Sequence, residues 1–200
     1  MTFETRYAIP HGNDLLPAFP ILMPATWQRA PTQVCAPLVK GVSLRHVPLL
    51  APVHFLGDPN SGTFQRAYVR EERLASIGAT ADQYIGEAVR NLRLRRATLR
   101  EVSPGIVASM DDFLSAERIL DPSFMNEAAR MLGVRDGLLL VGVPARAQLM
   151  ATPFGGDQRQ LRAFCGVLAK TFGDAGADGI TPWPILVTEG RIVSIIEVEA

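Results

Sequence analysis

Acidic residues are concentrated in one short stretch of the chain. Asp111, Asp112, Glu117 and Asp121 supply four carboxylates, and carboxylate oxygens are ligands that Mg²⁺ and Mn²⁺ favour. A metal-dependent hydrolase could use such a set to polarise a substrate and to activate water. Asp111, Asp112 and Asp121 also stand where helices would begin, and an Asp at that position accepts hydrogen bonds from the first backbone N–H groups. The stretch therefore leaves two interpretations open, a divalent-metal site and a set of helix caps.

Residues for nucleophilic catalysis do not form a recognisable set. The sequence contains no Gly-x-Ser-x-Gly elbow, no Walker motif and no Gly-x-Gly-x-x-Gly motif. Cys165 lies on the apolar face of a predicted helix, where burial raises the pKa of a thiol and weakens it as a nucleophile. His46 and His54 have no Glu or Cys nearby at metal-ligand spacing. We interpret these two histidines as structural or surface residues.

Arginine supplies almost all of the positive charge, with 18 Arg against 2 Lys. The densest basic run extends from Arg90 to Arg100 and is interleaved with leucine and alanine. Nucleic-acid-binding runs are typically interleaved with aromatic residues. We therefore interpret the run as the solvated end of a helix or as a protein contact, and we expect no nucleic-acid partner.

The overall composition is typical of a folded globular protein. Of the 200 residues, 48% are hydrophobic and 20% are charged, and the formal net charge is zero. A neutral chain has no general attraction to nucleic acid or to an anionic membrane. The longest apolar stretch, Leu138–Val143, is far shorter than the roughly 20 residues that a membrane-spanning helix needs. The N-terminus lacks the apolar run of a signal peptide, and the two cysteines form no motif, so we expect a cytoplasmic protein.

Prolines divide the chain into two parts. Nine of the 15 lie within residues 1–60, and each removes a backbone donor and restricts φ. We therefore expect residues 1–60 to form an extended or loop segment that wraps on the main body or on a partner. A strand within Val42–Leu56 is compatible with this, but Pro48 and Pro52 would restrict it to the edge of a sheet.

Residues 61–200 have the pattern of an α+β domain, and we expect one compact unit overall. A cluster of turn-forming residues at 57–62 predicts a hairpin between Val53–Leu56 and Thr63–Val69. The pair Glu189-Gly190 is typical of a two-residue turn and predicts a second hairpin between Pro184–Thr188 and Arg191–Val198. The predicted helices begin at Thr80, at Asp111 or Asp112, at Asp121 and at Asp157. Thr80 with Gln83, and Asp157 with Gln160, have the spacing of capping boxes. The predicted strands are Gly105–Ser109, Leu138–Val143, Gln148–Thr152, Pro184–Thr188 and Arg191–Val198. Because several strand connections are tight, the sequence predicts a mixed, largely antiparallel sheet with helices packed on it.

An ordered set of motifs over roughly residues 62–195 resembles the YtpQ-like family of bacterial proteins. The matching segments are Phe64–Val69, Leu74, Gly78-Ala79-Thr80, Ala88 to Leu92, Ala116–Leu120, Val143–Ala147 and Ile180-Thr181-Pro182. The chain departs from the family pattern at Glu117, where the family has Ser, and at Ala147, where it has Asp. The resemblance implies an α+β fold and no established activity.

The same resemblance directs attention to Arg118 and Arg146. One interpretation is that their guanidinium groups converge on an acidic ligand or a peptide carboxylate, which arginine binds well. The other is that both are structural arginines bonded to carbonyls and carboxylates at the ends of elements.

Together these patterns favour a non-enzymatic protein-binding or accessory protein. Its expected partner is another protein, with no nucleic acid, no membrane and no cofactor. Two alternatives stay open: a metal-dependent hydrolase that uses Asp111, Asp112, Glu117 or Asp121, and an immunity protein that blocks the active site of a toxin.

Overall fold

The computed structural model describes residues 16–39, 47–61, 64–110, 112–134 and 138–197. Within these residues the chain is an α+β protein, as the sequence predicts, with ten strands and four α-helices. The strands are β1 Ala18–Met23, β2 Ala36–Pro37, β3 Leu49–Leu56, β4 Gln65–Tyr68, β5 Arg100–Ser103, β6 Ile106–Ser109, β7 Leu139–Gly142, β8 Leu149–Pro153, β9 Ile185–Thr188 and β10 Arg191–Ile195. The α-helices are α1 Glu71–Ile77, α2 Ala81–Leu94, α3 Pro122–Met131 and α4 Gln158–Ala175.

A small antiparallel sheet contains the first four strands. β3 pairs with β1 along one side and with β2 and then β4 along the other. The predicted β3–β4 hairpin is therefore confirmed. The predicted division between residues 60 and 61 falls within the connection of this hairpin. Residues before it supply β1, β2 and β3, and residues after it supply β4, so both parts contribute to one sheet.

The prediction that prolines confine β3 to a sheet edge is wrong, because β3 is the interior strand. Pro52 lies opposite Pro20 of β1, at a pair where neither strand needs a donor from the other. On its other side, Pro52 falls between the residues that pair with β2 and those that pair with β4. Its carbonyl accepts from Val69 N at 3.2 Å. Pro52 is tolerated because no ladder hydrogen bond is required at its nitrogen.

The outer edge of β1 is closed by side chains. Ala18, Pro20 and Leu22 direct their backbone groups away from β3, because Pro20 and Pro52 form a non-hydrogen-bonded pair. Asn91 Nδ2 donates to Ala18 O, and Leu22 N donates to Glu117 Oε1, both at 2.9 Å. Pro20 has no N–H to satisfy. This edge therefore offers few free groups for pairing with another strand.

A large antiparallel sheet contains the other six strands, in the order β10-β9-β7-β8-β6-β5. Its interior strand β7 is buried at every position, as the apolar sequence Leu138–Val143 predicts. Leu140 packs against Leu161, Phe164 and Leu168 of α4 on one face. Leu139 and Val141 belong to the main core on the opposite face, which includes Met125 and Ala128 of α3.

Helix-start signals in the sequence correspond to observed helices. Thr80 and Gln83 form the predicted capping box at α2, and Asp121 caps α3 by accepting from Ser123 N at 3.1 Å. Asp157 caps α4, but the predicted reciprocal partner Gln160 instead donates to Thr152 Oγ1 at 3.3 Å. The capping-box prediction for α4 is therefore only half correct, because the nearby Thr152 hydroxyl accepts the Gln160 amide.

Four elements were not predicted, namely strands β1, β2 and β5 and helix α1, and one helix was predicted as the wrong type. Helix α1 begins at Glu71, and the side chain of the preceding Arg70 does not cap it. Every residue of β5 is exposed, so neither element has a strong sequence signal. The helix expected from Asp111 or Asp112 to Leu120 is a 3₁₀ helix at Ala116–Leu120, which we call the central 3₁₀ helix. Asp111 lies outside the described residues, and Asp112 Oδ1 accepts from Leu114 N in the preceding turn.

Among the described residues, no helix combines the length and the hydropathy that crossing a bilayer requires.

Gly190, in the turn of the β9–β10 hairpin, has no room for a side chain. Its φ is 73°, and an added Cβ would lie 2.5 Å from Pro122 O. Gly133, at φ 67°, has nothing within 4 Å of such a Cβ. We expect Gly133→Ala to lower the free energy of unfolding by about 1 kcal/mol, and Gly190→Ala to lower it by about 2–4 kcal/mol because the clash adds to the backbone strain. Urea denaturation measures both, and equal losses would contradict the clash.

Candidate functional site

The central 3₁₀ helix carries two adjacent charged residues into the interior. The helix contacts β1 of the small sheet, β8 and β10 of the large sheet, and helices α2 and α3. Glu117 and Arg118 are 0% and 1% exposed. Burial of charged groups is costly unless they are paired or change protonation. The partners of these two side chains therefore indicate what each one does.

Arg118 stabilises the end of α2. Its Nη1 donates to Leu92 O at 2.8 Å and its Nη2 to Arg96 O at 3.3 Å. These carbonyls belong to the last turn of the helix and the residues after it, where acceptors lack partners within the helix. Burial lowers the pKa of the Arg118 guanidinium, and the charges of Asp112 and Asp121 oppose that shift. Arg118 is thus placed as a structural arginine.

Two of the predicted metal-binding carboxylates are paired with arginines. Asp112 Oδ2 lies 3.6 Å from Arg95 Nε and 3.8 Å from Arg118 Nη2. Asp121 Oδ1 caps α3 and lies 3.9 Å from Arg93 Nε. These contacts place Asp112 and Asp121 around the end of α2 rather than around a shared cation.

The described residues do not assemble the predicted metal site. No group of three or more His, Cys, Asp or Glu side chains in this part of the chain is arranged to hold a metal ion. Glu117 is directed towards β1 and not towards the ion pairs of Asp112 and Asp121. The fourth predicted ligand, Asp111, lies outside the residues that the structure describes.

Glu117 has one satisfied and one unsatisfied oxygen. Oε1 accepts from Leu22 N at 2.9 Å, whereas Oε2 is buried and has no hydrogen-bond partner. Burial raises the pKa of Glu117 from 4.5 to about 7, and the Leu22 bond and the positive charge of Arg146 oppose that shift. The carboxyl group therefore changes charge near neutral pH.

Arg146 is buried but poorly satisfied. It lies in the connection between β7 and β8, just before Ala147, which adopts φ 62°. Its backbone N donates to Asp178 O at 2.9 Å. Its side chain is 7% exposed, and its Nε lies 3.7 Å from Asp178 Oδ1, too far for a hydrogen bond. Nε and Nη1 are both buried without a partner, which is rare for donors in native proteins.

Sulfur and aromatic groups surround this guanidinium. Arg146 Nη2 lies 3.6 Å from Met23 Sδ, which also accepts from Tyr68 Oη at 3.8 Å. The Phe113 ring centroid is 5.7 Å from Arg146 Cζ and 5.6 Å from Arg66 Cζ. We call this group the Arg146 site: Met23, Arg66, Tyr68, Phe113 and Arg146.

Electrostatics at the Arg146 site favour an incoming anion. Burial lowers the pKa of Arg146 most, and the like charge of Arg66 adds to this effect. Glu117, Tyr68 and Asp178 oppose the shift. Asp178 is the most exposed of these three residues, with 69% of its side chain accessible, so the site reaches the protein surface beside it.

The structure separates the two arginines that the sequence singled out. Arg118 contacts the end of α2, and Arg146 contacts Met23 at the end of β1. Arg66 and Phe113 were not predicted as site residues. They come from β4 and from the turn before the central 3₁₀ helix, and nothing in their local sequence indicates that they converge on Arg146.

His54 of β3 connects helix α2 and the segment before β1 through neutral hydrogen bonds. Its Nδ1 lies 2.6 Å from Leu16 O, so this nitrogen carries the proton and Nε2 accepts from Tyr84 Oη at 3.0 Å. Burial lowers the pKa of His54, which favours the neutral ring. These contacts give His54 a structural role, whereas His46 lies outside the described residues.

Comparison of the chain with protein-family models, with curated proteins and with solved structures finds no match. The resemblance to the YtpQ-like family therefore stays a prediction, and function has to be argued from the geometry of the site.

Arg118→Met tests the structural role of Arg118. The substitution removes two bonds to the end of α2 and leaves the buried Asp112 with less positive charge. We expect the free energy of unfolding to fall by about 3–5 kcal/mol, as when one partner of a buried pair is lost. Arg90→Met, which removes an exposed pair with Glu87, should leave stability unchanged in the same chemical denaturation. A near-wild-type Arg118→Met protein would contradict this role.

The raised pKa of Glu117 predicts how stability depends on pH. Between pH 4.5 and pH 7 the folded chain holds a proton that the unfolded chain has lost. The free energy of unfolding should therefore fall by about 3 kcal/mol as pH rises through this window, and stay lower above it. Glu117→Gln should remove this contribution, so the variant should be more stable than wild type at pH 8. Denaturation of both proteins from pH 4 to 8 measures the difference, and parallel curves would refute it.

Proposed function

We propose that this protein is a non-enzymatic binding protein that recognises an acidic segment of a partner protein at the Arg146 site. The observation that carries the proposal is the Arg146 side chain, which is 93% buried with Nε and Nη1 lacking hydrogen-bond partners. A buried donor without an acceptor costs about 1–3 kcal/mol, more when it is charged. A ligand that supplies the missing acceptors recovers that free energy on binding.

The arrangement of donors favours a peptide over a small anion. Nε and Nη1 donate in different directions from the planar guanidinium, so one carboxylate does not reach both. A peptide segment brings side-chain carboxylates and backbone carbonyl oxygens together. The exposed Asp178 carboxylate, 3.7 Å from Nε, occupies the approach to the guanidinium, and the ligand carboxylate displaces it.

The residue types around the guanidinium are those of protein interfaces. Trp27 and Tyr68 stack with ring centroids 5.1 Å apart, and Tyr68 contacts Met23, which contacts Arg146. Aromatic residues, Met and Arg are enriched in interface cores, and Trp, Tyr and Arg dominate binding hot spots. Arg66 adds a second positive charge above the Phe113 ring, which favours an acidic partner.

An immunity protein that occupies a toxin's active site would be one form of such a binder. The metal-dependent hydrolase is less favoured, because Asp112 and Asp121 are engaged with arginines and helix α3.

Titration calorimetry at pH 7 and low salt, with a hexaglutamate peptide as the ligand, tests the proposal. Arg146→Met and Arg66→Met should each weaken binding at least tenfold, because each removes a positive charge from the site. Arg162→Met, on the exposed face of α4, is the matched control and should bind like wild type. Equal affinity of wild type and Arg146→Met would reject the proposal.

Stability separates a binding role of Arg146 from a structural one. A structural arginine stabilises the fold, whereas an unsatisfied buried charge can be replaced by an apolar residue at little or no cost. Arg146→Met should therefore unfold at the same temperature as wild type, or higher, while losing the peptide.

A further inference from the structure

Two buried charged groups with unused hydrogen-bonding atoms lie at the end of β1. Leu22 N donates to Glu117 Oε1, and the next residue, Met23, accepts from Arg146 Nη2. Glu117 Oε2 has no partner, and neither have Arg146 Nε and Nη1. Adjacent residues of one strand therefore hold a carboxyl group that can be neutral or charged and a guanidinium group that stays charged.

The charges around these groups can be assigned to their elements. The positive charge of Arg146, in the β7–β8 connection, lowers the pKa of Glu117, and the negative charge of Asp112, in the turn before the central 3₁₀ helix, raises it. The neighbouring Arg118 is directed to the end of α2. Arg146 faces Glu117, Arg66 and Tyr68 of β4, and Asp178 after α4. Glu117 is fully buried and the Asp178 side chain is largely exposed, so Glu117 is the less screened of the two acids that oppose an anion at Arg146.

We propose that Glu117 controls the Arg146 site through its protonation, so that an acidic ligand binds at Arg146 together with the uptake of one proton by Glu117. The proton comes from solvent and no covalent bond to the ligand forms. This inference rests on the proposed function and adds to it a regulating residue that does not touch the ligand. The physical reason is that two negative charges near one guanidinium repel each other strongly in a poorly solvated site.

The proposal predicts the direction of the pH effect. Burial places the pKa of Glu117 at about 7 in the free protein, and a bound anion raises it further. Affinity is therefore constant well below pH 7, falls up to about tenfold per pH unit above it, and levels off once Glu117 is ionised in the complex as well. Hexaglutamate is a suitable probe because Glu side chains, with an ordinary pKa near 4.3, stay ionised throughout this range.

Calorimetric titration of the full chain with hexaglutamate from pH 6 to 8.5, in HEPES and in Tris, measures affinity and proton uptake. Wild type should take up a fraction of a proton near pH 7.5, seen as a difference in binding enthalpy between the buffers, and should lose about tenfold in affinity by pH 8.5. The Glu117→Gln variant should bind hexaglutamate with the same affinity at pH 6 and at pH 8.5, and without proton uptake. Glu127→Gln, which removes an exposed acid of α3 that pairs with Arg130 and is not part of the Arg146 site, is the matched control and should keep the wild-type proton uptake.

The outcomes separate this inference from the proposed function. Binding that needs Arg146 but takes up no proton overturns the control by Glu117 and leaves the proposed function standing. Absence of binding, or binding indifferent to Arg146→Met, overturns both. If Glu117→Gln does not fold, carboxyl ¹³C NMR titration of wild type decides, since the peptide should raise the titration midpoint of one buried Glu, and an unmoved midpoint rejects the inference.

Discussion

The hydrogen bond from Leu22 N to Glu117 Oε1 is the contact on which the arrangement of the molecule depends. It closes the outer edge of the small sheet with a side chain from the central 3₁₀ helix, and that helix also contacts strands of the large sheet. An unpaired N–H at this buried edge would cost free energy comparable to a lost hydrogen bond. The acceptor is a carboxyl group, so the same contact brings a titratable acid into the interior.

Glu117 and Arg118 show how neighbouring charges in one short helix acquire different roles. Arg118 is directed to the end of α2, where its Nη1 and Nη2 donate to two carbonyl oxygens and Asp112 supplies a nearby negative charge, although its Nε is buried without a hydrogen-bond partner. Glu117 is directed to β1, where only one of its oxygens is satisfied. The first arrangement stabilises the fold, and the second keeps a carboxyl group whose charge is sensitive to its surroundings.

The contrast between Arg118 and Arg146 follows the same reasoning. Both guanidinium groups are buried and both lie over an aromatic ring, but Arg146 donates to sulfur where Arg118 donates to two carbonyl oxygens. Sulfur is a weak acceptor, so Arg146 retains the capacity to bind an acceptor from outside. Proteins commonly tolerate such unsatisfied groups at binding sites, at some cost in stability.

The sequence alone determined the features that depend on neighbouring residues. Capping at Thr80 and Asp121, the turn at Glu189-Gly190 and the buried strand β7 all follow from local hydrogen bonding, backbone conformation and hydrophobic pattern. Only the tertiary structure decided the rest. Pro52 can lie in the interior strand β3 because the strands on either side of it need no backbone donor at that position. Arg66, Phe113 and Arg146 meet because segments distant in the chain are packed together. Which charge is paired and which is left unsatisfied is a property of such long-range contacts, so it has no local signature.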